Sequence, residues 1–163
     1  MLSTGFGQPH TPEQIEEAAR TGELPAPPPH VEREDVFTAH YLYIVYRRTR
    51  DGMADVRPSL GELQMSGLTR ITCRRYRKHL EETMGRPTPV NVDAVLPYPL
   101  PYRSAEDVFR EHYIYHNNRR TSGRMFVTRP TVEELAETSN IPERTCEEYR
   151  ERLEAEMETL KAA

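Results

Sequence analysis

His112 and His116 stand four apart, a separation that puts two imidazoles on one face of a helix and can begin a metal site. No third ligand accompanies them, so no metal is expected. Cys73 and Cys146 lie in no C-x-x-C, and two thiols are too few for a disulfide framework or a four-cysteine zinc site. Each is read as a small buried residue and not as a nucleophile or redox partner. The sequence has no phosphate-binding glycine loop, no H-E-x-x-H and no G-x-S-x-G, so neither an enzyme nor a cofactor is expected. The Tyr41/Tyr43 and Tyr113/Tyr115 pairs read as core and rim of a helix, with stacking on bases as the alternative. What remains is a run of cations, Arg70, Arg74, Arg75, Arg77 and Lys78. The guanidinium fork matches phosphate and base edges, although a solvated helix face has the same composition.

The elements that position these residues come in two copies. Val36-Phe37 and His40-Tyr41-Leu42-Tyr43 recur as Val108-Phe109 and His112-Tyr113-Ile114-Tyr115, and from Val36 to Leu63 there are 13 identities in 28 positions. One residue is then inserted, after which Thr72-Cys73, Tyr76-Arg77, Leu80-Glu81 and Met84 match Thr145-Cys146, Tyr149-Arg150, Leu153-Glu154 and Met157. Chance similarity between amphipathic helices would not hold one register over so many uncommon residues, so the chain is read as a duplication.

Each copy predicts a helix, an extended link and two more helices. Phe37, His40, Tyr41 and Ile44 have helical spacing over about residues 35–48, and the copy runs over about 105–118, with Ser104 as its cap. The link ends at Arg57-Pro58 or Arg129-Pro130, and Ser59 or Thr131 follows with Glu62 or Glu134 three residues on, the pattern of a capping box. Pro25-Ala26-Pro27-Pro28-Pro29 and Pro97-Tyr98-Pro99-Leu100-Pro101 read as extended connectors. Thr11-Pro12-Glu13-Gln14 begins a short acidic helix or a solvated tail.

With 163 residues, 36% of them apolar and 29% charged, there is little core to share out, which excludes a large enzyme fold. No run is apolar enough to span a membrane and the first residues do not resemble a secretory signal, so a cytoplasmic protein without membrane contact is expected. The net charge of -4 conceals segments of opposite sign: -5 over residues 1–35, +4 over 36–84 and -2 over 108–157. Of the 22 cations only Lys78 and Lys161 are lysine, a bias that GC-rich coding DNA also produces.

Leu135 to Tyr149 resembles the helix-turn-helix superfamily, with Ala136 where the helices cross, Asn140 in the turn and Ile141 buried after it. Leu60 to Tyr76 is similar, with Gly67 in the turn, one residue fewer, and Gln64 at the small-residue position. The layout is also similar to winged-helix members. This resemblance covers about 50 residues in each copy and implies a mainly α chain of two tandem helix-turn-helix or winged-helix-like units. The expected division is an acidic, Pro-rich extension over 1–30, a basic unit over 31–90, a Pro-rich linker over 91–104 and an acidic unit over 105–163.

In the superfamily the second helix of the pair enters the major groove of double-stranded DNA. Carried over by position, this implies DNA contacts from Thr69, Arg70, Thr72, Arg74, Arg75, Arg77 and Lys78 in the first unit, and from Arg144 and Thr145 in the second. Unit 2 replaces Arg74-Arg75 by Glu147-Glu148 and Lys78 by Glu151, so it is either a weaker, differently specific reader or a protein-binding module. The implied function is a sequence-specific transcriptional regulator of the phage or mobile-element repressor kind, acting as a monomer or weak oligomer at the nucleoid. The alternatives are a replication or recombination accessory factor, and an adaptor or anti-activator that keeps the fold. Head-to-tail joining of two different units implies an asymmetric site, with the chain between Gly85 and Arg103 long enough to bridge two groove faces.

Overall fold

The computed structural model describes residue 13, residues 25–91, residue 93 and residues 95–162. Apart from Glu13, the expected N-terminal acidic helix lies outside the described residues. The chain is mainly α: α1 (Arg33–Arg50), α2 (Leu60–Leu63) continued by a 3₁₀ turn (Gln64–Ser66), α3 (Arg70–Met84), α4 (Ala105–Ser122), α5 (Val132–Ser139) and α6 (Glu143–Ala162). Among the described residues there is no β-strand, so no wing accompanies either helix pair. The described chain divides into two compact units, residues 31–102 and residues 25–30 with 103–162.

In unit 1, apolar residues recurring at helical spacing turn one face of α1 inward. Phe37, Tyr41, Ile44 and Val45 meet Val56, Leu60, Leu63, Leu68 and Cys73. Acidic Glu34 and Asp35 occupy its first turn and Arg47, Arg48 and Arg50 its last, each sign opposing the helix dipole. After Pro58 the helix restarts at Ser59, whose hydroxyl accepts from the Glu62 amide while the Glu62 carboxylate accepts from the Ser59 amide. Gly67 then adopts φ 84°, a left-handed turn that exposes no Cβ to strain, and Thr69 caps α3 by accepting from the Thr72 amide.

Unit 2 repeats the plan with Phe109, Tyr113, Leu135, Ile141 and Cys146 at its centre. Thr131 and Glu134 form its capping box, and Asn140 takes the left-handed turn at φ 58°. The residue missing from unit 1 is absorbed just before this turn. Gln64–Ser66 winds as a tighter 3₁₀ turn where α5 stays α-helical to Ser139, so the buried Ser66 and Ser139 reach equivalent places. Both hydroxyls donate back to their own helix, Ser66 to the Leu63 carbonyl at 2.6 Å and Ser139 to that of Leu135 at 2.5 Å.

The same polar ties close each unit. Tyr41 donates to Glu81 at 2.8 Å, and Arg57 grips both oxygens of that carboxylate. Tyr113, Glu154 and Arg129 reproduce the arrangement. Arg48 holds Glu62 and Arg120 holds Glu134, linking each first helix to the start of its helix pair. Bidentate guanidinium–carboxylate pairs fix orientation better than single contacts, which matters in units with so small a core.

The proline-rich stretches, expected as extended connectors, are packed against the units. Tyr102 donates its amide to the Ser66 carbonyl at 2.7 Å and His40 Nε2 donates to the Leu100 carbonyl at 3.0 Å, both within unit 1. In unit 2, His30 donates its amide to the Ser139 carbonyl at 2.7 Å and His112 Nε2 donates to the Pro28 carbonyl at 3.0 Å. In repeat register Pro28 corresponds to Leu100 and His30 to Tyr102. The arm that precedes α1 therefore completes unit 2, and the arm that precedes α4 completes unit 1. The last residues of the stretch between Gly85 and Arg103 thus pack on unit 1, because helix-end carbonyls and a buried histidine require hydrogen-bond partners that the arm's backbone supplies.

Candidate nucleic-acid interface

α3 turns Cys73, Tyr76 and Leu80 toward the core of unit 1. Residues four apart share a helix face, so Arg70, Arg74 and Lys78 form one row on the opposite side, with Arg75 beside it. All four are exposed, and among the described residues none of them is in a salt bridge. Arg75 lies over the Tyr76 ring at 5.5 Å, a contact that leaves its donors open to a ligand. Ile71, 78% exposed, sits within the cationic row as an apolar spot.

Thr69 and Thr72 are at the start of the helix. The Thr69 hydroxyl donates to that of Thr72 at 2.9 Å, so both are held by the cap before any ligand arrives. Arg77 differs from its neighbours. It is half-buried and donates to the Pro58 carbonyl at 3.0 Å; burial, then the charge of nearby Arg57, pushes its pKa down. Its guanidinium is engaged in holding the Arg57–Pro58 link to α3, whereas Arg74 and Lys78 make no salt bridge among the described residues.

In unit 2 the equivalent outward positions are Glu143, Glu147, Glu148 and Glu151, all exposed. Arg144 is exposed at the position of Ile71, and Thr145 is half-buried at the position of Thr72. Arg150 donates to the Pro130 carbonyl at 3.0 Å, as Arg77 does in unit 1, and Arg152 pairs with Glu106 at 3.2 Å while lying over Tyr149. The two long helices therefore share their inward residues and oppose each other in outward charge.

His112 and His116 both face the Thr138 hydroxyl, at 2.9 Å from Nδ1 and from Nε2 respectively, so the histidine pair ties α4 to α5. Among the described residues no three His, Cys, Asp or Glu side chains gather as metal ligands. Cys73 and Cys146 are fully buried, and burial raises both thiol pKa values. Tyr41 and Tyr113 are buried in their cores, whereas Tyr43 packs edge-on against Tyr98 at 5.0 Å. Sequence reasoning missed the apolar tip Met125-Phe126-Val127, where Phe126 is fully exposed at 106%. Its signal was three consecutive large apolar residues in a link that otherwise reads as polar. No described helix is long and apolar enough to cross a membrane.

No family model matches the chain, and comparison with curated proteins and with solved structures likewise found no match.

Proposed function

We propose that the chain is a double-stranded DNA-binding regulator of transcription, built of two tandem helix-turn-helix units with unit 1 as the principal reader. The observation that carries this reading is the outward row Arg70, Arg74 and Lys78, with Arg75 alongside, on the long helix after a left-handed turn. Four cations on one face, none of them in a salt bridge among the described residues, favour a polyanion, and a helix of this diameter fits the major groove. Thr69 and Arg70 lie at the end of α3 that would meet base edges, and Arg74, Arg75 and Lys78 follow along the groove and its phosphates. Arg77 is left to the fold.

Selection of bound sequences from random duplex DNA by the full chain tests this reading. A specific site should emerge, and if the four cations each neutralise one phosphate, log affinity should fall against log salt with a slope of about -3 to -4. Absence of both duplex retention and salt dependence overturns it.

A second reading, an adaptor acting through unit 2, is favoured by the acidic row Glu143, Glu147 and Glu151 together with fully exposed Phe126. Acidic faces repel DNA, and an exposed aromatic tip is a common anchor for a protein partner. An adaptor of this kind would show neither duplex affinity nor a salt slope.

A further inference from the structure

The two long helices carry opposite charges at four matched outward positions. Arg70, Arg74, Arg75 and Lys78 on α3 correspond to Glu143, Glu147, Glu148 and Glu151 on α6, all eight are exposed, and none is in a salt bridge among the described residues. Inward residues at intervening positions are unchanged, Tyr76 and Tyr149, Arg77 and Arg150, Glu81 and Glu154. The reversal is thus confined to the faces that meet solvent.

We propose that the basic face of α3 in one copy docks on the acidic face of α6 in a second copy, so that the chain self-associates head to tail. Three features support a second copy as the occupant. The row Arg70–Arg74–Lys78 and the row Glu143–Glu147–Glu151 each advance by one residue in four over about 12 Å, so the charges come into register whichever way the helices run. Each face holds a row of four charges of one sign, with Arg144 also exposed on the acidic face, so docking pairs the two rows and neutralises most of their charge. Apolar spots flank both rows: Ile71 lies within the basic one, and Val127, 61% exposed, lines a groove with Arg144 and Glu147 beside the acidic one.

The two faces differ, so a single contact is heterologous and leaves one face on each copy for a further copy or for closure of the assembly. Exposed ion pairs are individually weak and screened by salt, so association belongs to low ionic strength. The inference is independent of the DNA reading, although both use the α3 cations.

Sedimentation equilibrium of the full chain tests it. At about 0.02 M salt the average mass should rise with protein concentration above that of one chain, and at about 0.5 M salt it should return to that of one chain. Arg74→Glu/Arg75→Glu neutralises one face and Glu147→Arg/Glu148→Arg the other, so each variant alone should stay a single chain at low salt. Mixed in equal amounts, they retain one intact acidic face and one intact basic face, and their two altered faces are again opposite in charge position by position, so association should return. This rescue separates loss of docking from loss of folding. A wild-type mass independent of concentration at low salt, variants that assemble as the wild type does, or a mixture that stays unassociated overturns the proposal. Duplex binding by the same variants separates the two readings: Glu147→Arg/Glu148→Arg should lose self-association and keep DNA, whereas Arg74→Glu/Arg75→Glu should lose both.

Discussion

His112 Nε2 lies 3.0 Å from the carbonyl oxygen of Pro28, 84 residues earlier in the chain. A carbonyl only accepts, so the neutral ring carries its proton on Nε2 and turns Nδ1 to the Thr138 hydroxyl at 2.9 Å. His40 makes the matching bond to the Leu100 carbonyl in unit 1. One buried histidine in each unit thus fastens a proline arm onto the first helix.

Stability should fall as these histidines take up a second proton. Burial pushes His40, His112 and His116 below the ordinary value of 6.5. The folded chain therefore binds fewer protons than the unfolded chain below that pH, so the stability these groups contribute is present above about 6.5 and is lost as pH falls toward their folded-state values. Melting temperatures measured from pH 8 down to pH 5 should decline through this window. Replacing both His40 and His112 by Leu should flatten the decline while costing about 1–3 kcal/mol per site at neutral pH, because the arm carbonyls lose their donors.

Tyr41 and Tyr113 should behave as core residues with a polar tip. Truncation of either to Ala should cost about 3–5 kcal/mol in urea denaturation. Replacement by Phe should cost about 1.5–3 kcal/mol, since each hydroxyl donates to a carboxylate, Glu81 or Glu154. DNA affinity lost with no loss of stability would instead place these rings on bases.

Arg74 and Arg77 should separate affinity from stability. Arg74→Ala is expected to weaken duplex binding, by about 1–3 kcal/mol and at one position of the site if it reads a base edge, and uniformly across sequences if it holds phosphate. Its melting temperature should not change. Arg77→Ala should lower the melting temperature, because the Pro58 carbonyl loses its donor. Replacing Arg150 and Arg152, which are engaged within unit 2, should leave affinity nearly unaltered. Equal effects of Arg74→Ala and Arg77→Ala on binding and melting would sink the distinction.

The turn residues should be interchangeable only with one another. Gly67→Ala should cost about 1–2 kcal/mol from the left-handed backbone alone. A Cβ there would have no neighbour closer than the Tyr102 amide nitrogen at 3.5 Å, an ordinary contact, so packing adds nothing. Gly67→Asn should cost less, because Asn140 already holds this conformation in unit 2. Chemical denaturation of the two variants gives the order directly.

Local rules made the helix pairs readable from the sequence. Ser59 with Glu62, Thr131 with Glu134, and the left-handed Gly67 and Asn140 interact over three or four residues, a range within which side-chain type specifies geometry. The inward faces followed from helical spacing in the same way, and the duplication made each assignment twice. The roles of the cations did not follow from spacing. Arg74 and Arg77 are neighbours in one basic run, and only the passage of Pro58 beside α3 engages Arg77 and leaves Arg74 outward. Nor were the arms' destinations readable. A proline-rich segment has no periodic face, and it bonds through backbone groups that are alike in every sequence. Its partners, Ser66 and His40 for one arm and Ser139 and His112 for the other, are fixed only when the distant helices have packed and left those polar groups to be satisfied.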